Sequence, residues 1–370
     1  WQCDHEHTTG CPELHAMRQL FTLLETKAKA IATAAEGQGN DDAADAAYDD
    51  LLEVERRRVY FLEYLGHEAR GVNELRERSR RIDRLRDKPG HVMIVEDWRM
   101  RVMDKMTRQG SKDWYGLGST SDLAMMILAP IPDDAPPEIL GRASSSRGDL
   151  WVRFVHVYTD DSCQDSFAVN CFIKKVLTTL HEEDGTTSCD IDMDGAGCFI
   201  SAEHAEEMAH ALEETGVRVD SLHSLEAGKG KTRVDSNNAH STAMQRRGMG
   251  EYYAEYGQAM ATCASAHAKM HVWAIQPVDT LVAVGKPDRT VQTEGGIEGP
   301  DGWRRYSAVA YEYSGGTFTM NVREQSTQGP ATSFSEADTK KWWPDDTPPL
   351  VRPRCSQFQE YTHKGVRAAA

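Results

Sequence analysis

The chain has 370 residues, 39% of them hydrophobic and 27% charged, which is enough to bury a core and excludes a wholly disordered polymer. No run reaches the roughly 18 apolar residues of a membrane span, so no membrane partner is expected. Eight cysteines over this length suit a reducing nuclear or cytoplasmic setting, and a net charge of −16 leaves only local basic surface for holding nucleic acid.

The sequence opens on Trp1 and reads as a fragment or processed product, with any targeting signal upstream. Residues 1–16 are rich in Cys and His. Met17, Leu20, Phe21 and Leu24 then recur at helical spacing up to about Glu36. After a break at Gly37–Asn40, five aspartates between Asp41 and Asp50 suit the start of a second helix, which runs on towards Leu85. Residues 53–88 hold eleven Lys/Arg against eight Asp/Glu, the mark of a solvated helical face. Residues 17–88 are thus expected to form a helical hairpin or spacer, ended by Pro89-Gly90.

From residue 89 the period changes. His91–Val95, Leu123–Ala129 and Trp151–Tyr158 read as strands, and Pro130–Gly148, with four prolines, as a surface loop. A helix is expected over 163–182, a strand over Cys189–Met193, a helix over 202–215, a strand over Val217–Leu222 and a long helix from Thr232 to about Met270. Three strands followed by alternating helices and strands describe a mixed α/β layer domain over 89–270. Val272–Val284 and Ser307–Val322 suggest a small antiparallel β-rich extension over 271–343, and 344–370 a flexible tail.

Acids fall at informative points of this order. Asp97 ends the first strand, Asp194 ends the fourth, and Asp235 opens the helix after the fifth. If the first and fourth strands are neighbours, Asp97 and Asp194 stand side by side and the helix can bring Asp235 across. Three crowded carboxylates repel unless divalent cations sit among them. Hard oxygen ligands suit magnesium or manganese, and two such ions stabilise entering and leaving oxygens in phosphoryl transfer.

The element order, with Asp97-Trp98-Arg99-Met100, Asp194-Gly195-Ala196-Gly197-Cys198 and the Gly-Lys segment before Asp235, resembles the RNase H-like cores of DDE-type transposases and retroviral integrases. With the Cys/His segment and helical spacer it resembles, more narrowly, transposon-derived eukaryotic proteins. The resemblance implies an RNase H-like mixed sheet flanked by helices, with Asp97, Asp194 and Asp235 as catalytic ligands of Mg2+ or Mn2+. It further implies DNA, as transposon ends and target, for a partner, and cleavage followed by attack of the freed 3′-hydroxyl. Gly195 stands where the family usually has Asn, and Glu226 competes with Asp235 for the third position, although it precedes the Gly-Lys segment. A homo-oligomer is compatible with this chemistry.

Two alternatives belong to other classes. A retired core would act only as a nucleic-acid or protein-binding module, which the acidic balance favours. Asp192 to Glu203 also fits much of a calcium-binding EF-hand loop, with acids at positions 1, 3 and 12 and Gly197 at position 6, but Ala196 at position 5 offers no ligand oxygen. Near the start, Cys3, His5, Cys11 and His15, with His7 as substitute, offer zinc a tetrahedral ligand set. Basic residues placed to meet phosphate are Arg99, Arg101, Lys105, Arg108 and Lys112 after Asp97, and Lys229 and Lys231 before Asp235.

Overall fold

The computed structural model of the chain describes residues 12–103, 119–131, 143–144, 147–159, 163–225, 234–235, 237–239, 280–283, 299–300, 303, 306–323 and 331–342. Two helices come first, α1 (Pro12–Gly37) and α2 (Asp41–Leu85). Gly39 at φ 66° turns the chain between them, and the Asn40 side chain caps α2 by accepting from the Ala43 amide at 3.2 Å. The buried residues of the hairpin near this turn are alanines, Ala28, Ala32, Ala35, Ala44 and Ala47, whose small side chains permit close approach of the helices. Phe21 and Phe61 meet further along, ring centroids 5.7 Å apart. The boundary between two compact units falls inside α2, at Val72/Asn73. Several of the charges read as a solvated face pair locally, as in Arg57–Glu53 and Arg84–Glu77. Among the described residues no helix is long and apolar enough to cross a membrane.

The second unit is built on one mixed sheet of ten strands among the described residues. They are β1 (His91–Met103), β2 (Ser119–Pro130), β3 (Ala143–Ser144), β4 (Arg147–Thr159), β5 (Ser188–Met193), β6 (Arg218–Ser224), β7 (Thr280–Ala283), β8 (Ala308–Ser314), β9 (Thr317–Arg323) and β10 (Thr332–Ser335). The order is β10-β9-β8-β6-β5-β1-β2-β4-β3, with β7 added against β4. β1 is antiparallel to β2 and β2 to β4, whereas β5 is parallel to β1 and β6 to β5. The five strands expected over 89–270 are present, and the first three run longer than their apolar runs, with polar residues such as Glu96 and Asp122 buried in the added positions; of the strand expected over Val272–Val284 only 280–283 lie among the described residues.

Three helices follow β4 and β5: α3 (Ser166–Asp184), α4 (Ala202–Ala209) and α5 (Ala211–Thr215). Asp165 caps α3 by accepting from the Ala168 amide, and Gly185 ends it in the left-handed region. One expected helix over 202–215 is thus two, divided at His210. Alternation along the strands separates two cores. Val92, Ile94, Leu123, Met125 and Ile191 join Phe167, Phe172, Leu177 and Met208 on one side, where each fully buried large side chain contributes about 1.5–3 kcal/mol. Met93, Val95, Ala124, Met126 and Phe154 pack on the other with Leu85 from the end of α2 and with Val234.

The described strands of the β-rich extension join the same sheet. β8 pairs antiparallel with β6, and β9 and β10 continue outward, while β7 pairs parallel with β4. An exposed β6 would leave a row of unpaired backbone groups, and β8 satisfies it. The tail over 344–370 and most of the expected helix beyond Asp235 lie outside the described residues.

Candidate active site

The β1/β5 register runs from His91↔Ser188 to Glu96↔Met193, so the next positions along the two strands are Asp97 and Asp194. Neighbouring strands are about 4.8 Å apart and in-register residues share a face. The two aspartates therefore emerge together, on the side of Met93 and Val95. Asp194 stands just past the end of β5 and is exposed, while Asp97 is partly buried.

Residues 234–235 and 237–239 are helical and cover the same side. Val234 is buried in the core there. Asn238 donates from Nδ2 to Oδ2 of Asp97 at 3.4 Å, and Asp235 is exposed. Burial, then the charge of Asp235, then that of Asp194 push the Asp97 carboxyl up to about 7, against the opposing hydrogen bond from Asn238. Asp194 and Asp235, from two other elements, are thus both within electrostatic reach of Asp97.

A second feature had no counterpart in the sequence reading. His156 on β4 is fully buried, and its Nδ1 lies 3.0 Å from both oxygens of the buried Asp122 carboxylate on β2. Its Nε2 lies 2.9 Å from Oδ1 of Asn237, and Arg99 reaches Asp122 at 3.4 Å. The chain of contacts Arg99–Asp122–His156–Asn237 runs on the same side of the sheet as Asp97. On the opposite side Glu96 is buried, and neither of its carboxylate oxygens has a hydrogen-bond partner among the described residues. Burial, aided by the charge of Asp97, pushes Glu96 up to about 8. His204 lies 3.8 Å from it, is lowered to about 3 by burial, and meets Asn170 Oδ1 through Nδ1 at 2.6 Å.

The segment considered as a calcium loop is built differently. Asp192 is a buried residue of β5, held by Arg81 at 2.6 Å and Arg78 at 3.1 Å from the end of α2. Its carboxylate faces two guanidinium groups, and a strand occupies the place of an entering helix. Glu203 accepts from Ser166. This arrangement differs from the helix–loop–helix that the EF-hand alternative expects.

The remaining expected residues divide in two groups. Arg99 is 4% exposed and turned inward onto Asp122, so it does not present itself to phosphate. His15 is exposed on α1, where its Nε2 meets Gln19 at 2.9 Å. Arg101 belongs to β1. Cys3, His5, His7, Cys11, Lys105, Arg108, Lys112, Glu226, Lys229 and Lys231 lie outside the described residues.

Among the described residues, no group of three His, Cys, Asp or Glu side chains is set to hold a metal ion as the side chains stand. The donor set around Asp97 is nevertheless of the right chemistry for magnesium or manganese: hard carboxylate oxygens, two of the three acids open to water, and a mutual repulsion that a divalent cation relieves. Comparison with family models, curated proteins and solved structures finds no match.

Proposed function

We propose that the chain is a metal-dependent polynucleotidyl transferase of the DDE transposase or integrase type, with an RNase H-like core. The observation that carries this reading is the convergence of Asp194 and Asp235 on Asp97, whose carboxyl is pushed up to about 7 first by burial and then by the charges of Asp235 and Asp194. Paired surface acids do not need a neighbouring strand and a covering helix to bring them together. The adjacency of β1 and β5, which the family resemblance requires, supports the same reading.

Asp97, Asp194 and Asp235 would hold the Mg2+ or Mn2+ ions, which when bound neutralise the scissile phosphate and activate water for the cut. Asp97 must lose its proton to serve. Asn238, by donating to its Oδ2, holds the carboxyl in place and favours the ionised form. Exposed Asp194 and Asp235 leave the site open to a strand of DNA, whose freed 3′-hydroxyl would attack the target.

A retired, binding-only core is the second reading, favoured by the net charge of −16 and by the inward turn of Arg99. Nicking of supercoiled plasmid by the full chain in Mn2+ separates the two. Activity abolished by Asp97→Asn supports the transferase, whereas absence of nicking together with no calorimetric Mn2+ uptake leaves the retired core. Nicking that Asp97→Asn leaves unchanged removes these acids from the reaction.

A further inference from the structure

His156 lies in the cross-strand row of the candidate site. Asp97 pairs in register with Ala124, and Ala124 with His156, so two strand spacings, about 10 Å, separate the histidine from Asp97. At that distance it does not reach Asp97 across the sheet, and its link to the acids runs through the helical residues that cover them.

The helical residues 234–235 and 237–239 are fixed to the sheet at three described points. Val234 is buried against Met93, Val95 and their neighbours. Asn237 meets His156, and Asn238 meets Asp97. Asp235 stands two residues before Asn237, so the contact that holds Asn237 also constrains where the Asp235 charge that acts on Asp97 is placed. Either the ring donates to the amide oxygen of Asn237 or, with the amide turned over, accepts from its nitrogen. Both arrangements hold the helix.

The construction of the anchor argues for more than packing. Asp122 and His156 are both fully buried. A buried charged or polar pair seldom stabilises a fold better than apolar side chains of the same volume. What it supplies is direction: the Asp122 carboxylate grips Nδ1 and sets the ring plane, so that Nε2 points at one residue of the covering helix. The same device, a carboxylate orienting a histidine, fixes metal-site groups at one remove, where its loss typically costs 10–100-fold in metal affinity.

We infer that His156, oriented by Asp122, is a positioning residue that sets Asp235 and Asn238 over Asp97 by holding Asn237. The inference rests on the proposed metal-dependent function. The test is calorimetric titration of the full chain with Mn2+ alone. Asn237→Ala cuts the link while leaving the Asp122–His156 pair in the core, and weakens Mn2+ binding by tenfold or more. His156→Ala does the same, and His156→Gln, whose amide can still bridge Asp122 and Asn237, recovers most of the loss. Leu177→Ala, a fully buried residue on the opposite side of the sheet, lowers the melting temperature but leaves the affinity within twofold of wild type.

Wild-type affinity in Asn237→Ala, or an equal loss in Leu177→Ala, overturns the positioning role while the metal reading stands. A wild-type chain that takes up no Mn2+ overturns both.

Discussion

Replacing Asp97 by Asn should make the metal-free protein more stable, by an amount set by pH. An unfolded aspartate ionises near 3.8, whereas Asp97 in the folded chain does so at about 7. Between those values the folded state holds a proton that the unfolded state has lost, so stability falls as pH rises through the window. Below about 4 both states are protonated and the residue costs nothing. Above 7 both are ionised and the cost is constant. At 1.36 kcal/mol for each tenfold change the full cost is about 4 kcal/mol, and because Asp97 is only partly buried, screening reduces it to about 2 kcal/mol. Asparagine carries no charge and escapes this. In chelator, its advantage over wild type grows from under about 1 kcal/mol at pH 5 to about 2 kcal/mol at pH 8. For a large domain that is a rise of roughly 4–8 °C in melting temperature at pH 8. Saturating Mn2+ reverses the ranking, since it stabilises only the chain that can hold it. An advantage that is absent at pH 8, or equal at pH 5 and pH 8, would refute the argument that burial and neighbouring charges raise this carboxyl.

Two further substitutions test the frame around the site. Arg81→Met leaves Asp192 fully buried with one arginine instead of two. Loss of a buried ion-pair partner costs about 3 kcal/mol in urea unfolding, and Asp192→Asn added to it recovers a large part. Additive losses in that pair of variants would mean that the two residues do not interact. Gly216→Ala forces a side chain onto a backbone at φ +76° and brings its Cβ to 2.5 Å from the His181 ring. A loss of about 2–3 kcal/mol is expected, and a melting temperature equal to wild type contradicts the close approach between the turn after α5 and the end of α3.

Much of this frame is legible in the sequence because it is local. The periodicity of Met17, Phe21 and their neighbours marks α1, and the turn at Gly39-Asn40 separates it from α2. Asp97 and Asp194 can be placed because each ends an apolar run, and a parallel pairing of the two runs makes them neighbours. The end of α2 is less legible. Arg78 and Arg81 read as members of a solvated charge-dense helix, yet they face Asp192, more than 110 residues away in the chain. Nothing within a helical window distinguishes an arginine that serves solvent from one that serves a distant buried carboxylate. Where the extension attaches is hard to read for a similar reason. Hairpin signals in β8 and β9 are local, but the free edge of β6 that recruits them is not.

The polar row beside Asp97 shows the same limit at the place where it matters for function. Asp122 precedes an apolar run and His156 interrupts one, so each reads alone as a strand terminus or a tolerated polar residue. Their partners lie 34 and 81 residues apart in sequence, beyond any period of a strand or helix. Arg99 reads as exposed because it follows Asp97 in a basic stretch, yet alternation places it on the side of Asp97, where Asp122 is its cross-strand partner. Desolvating this many polar groups gains little for the fold, and the one element the row reaches is the helical turn carrying Asp235. A row placed for stability alone could have ended on any neighbouring backbone. Ending on Asn237, beside the residue that donates to Asp97, ties its cost to the geometry of the acids.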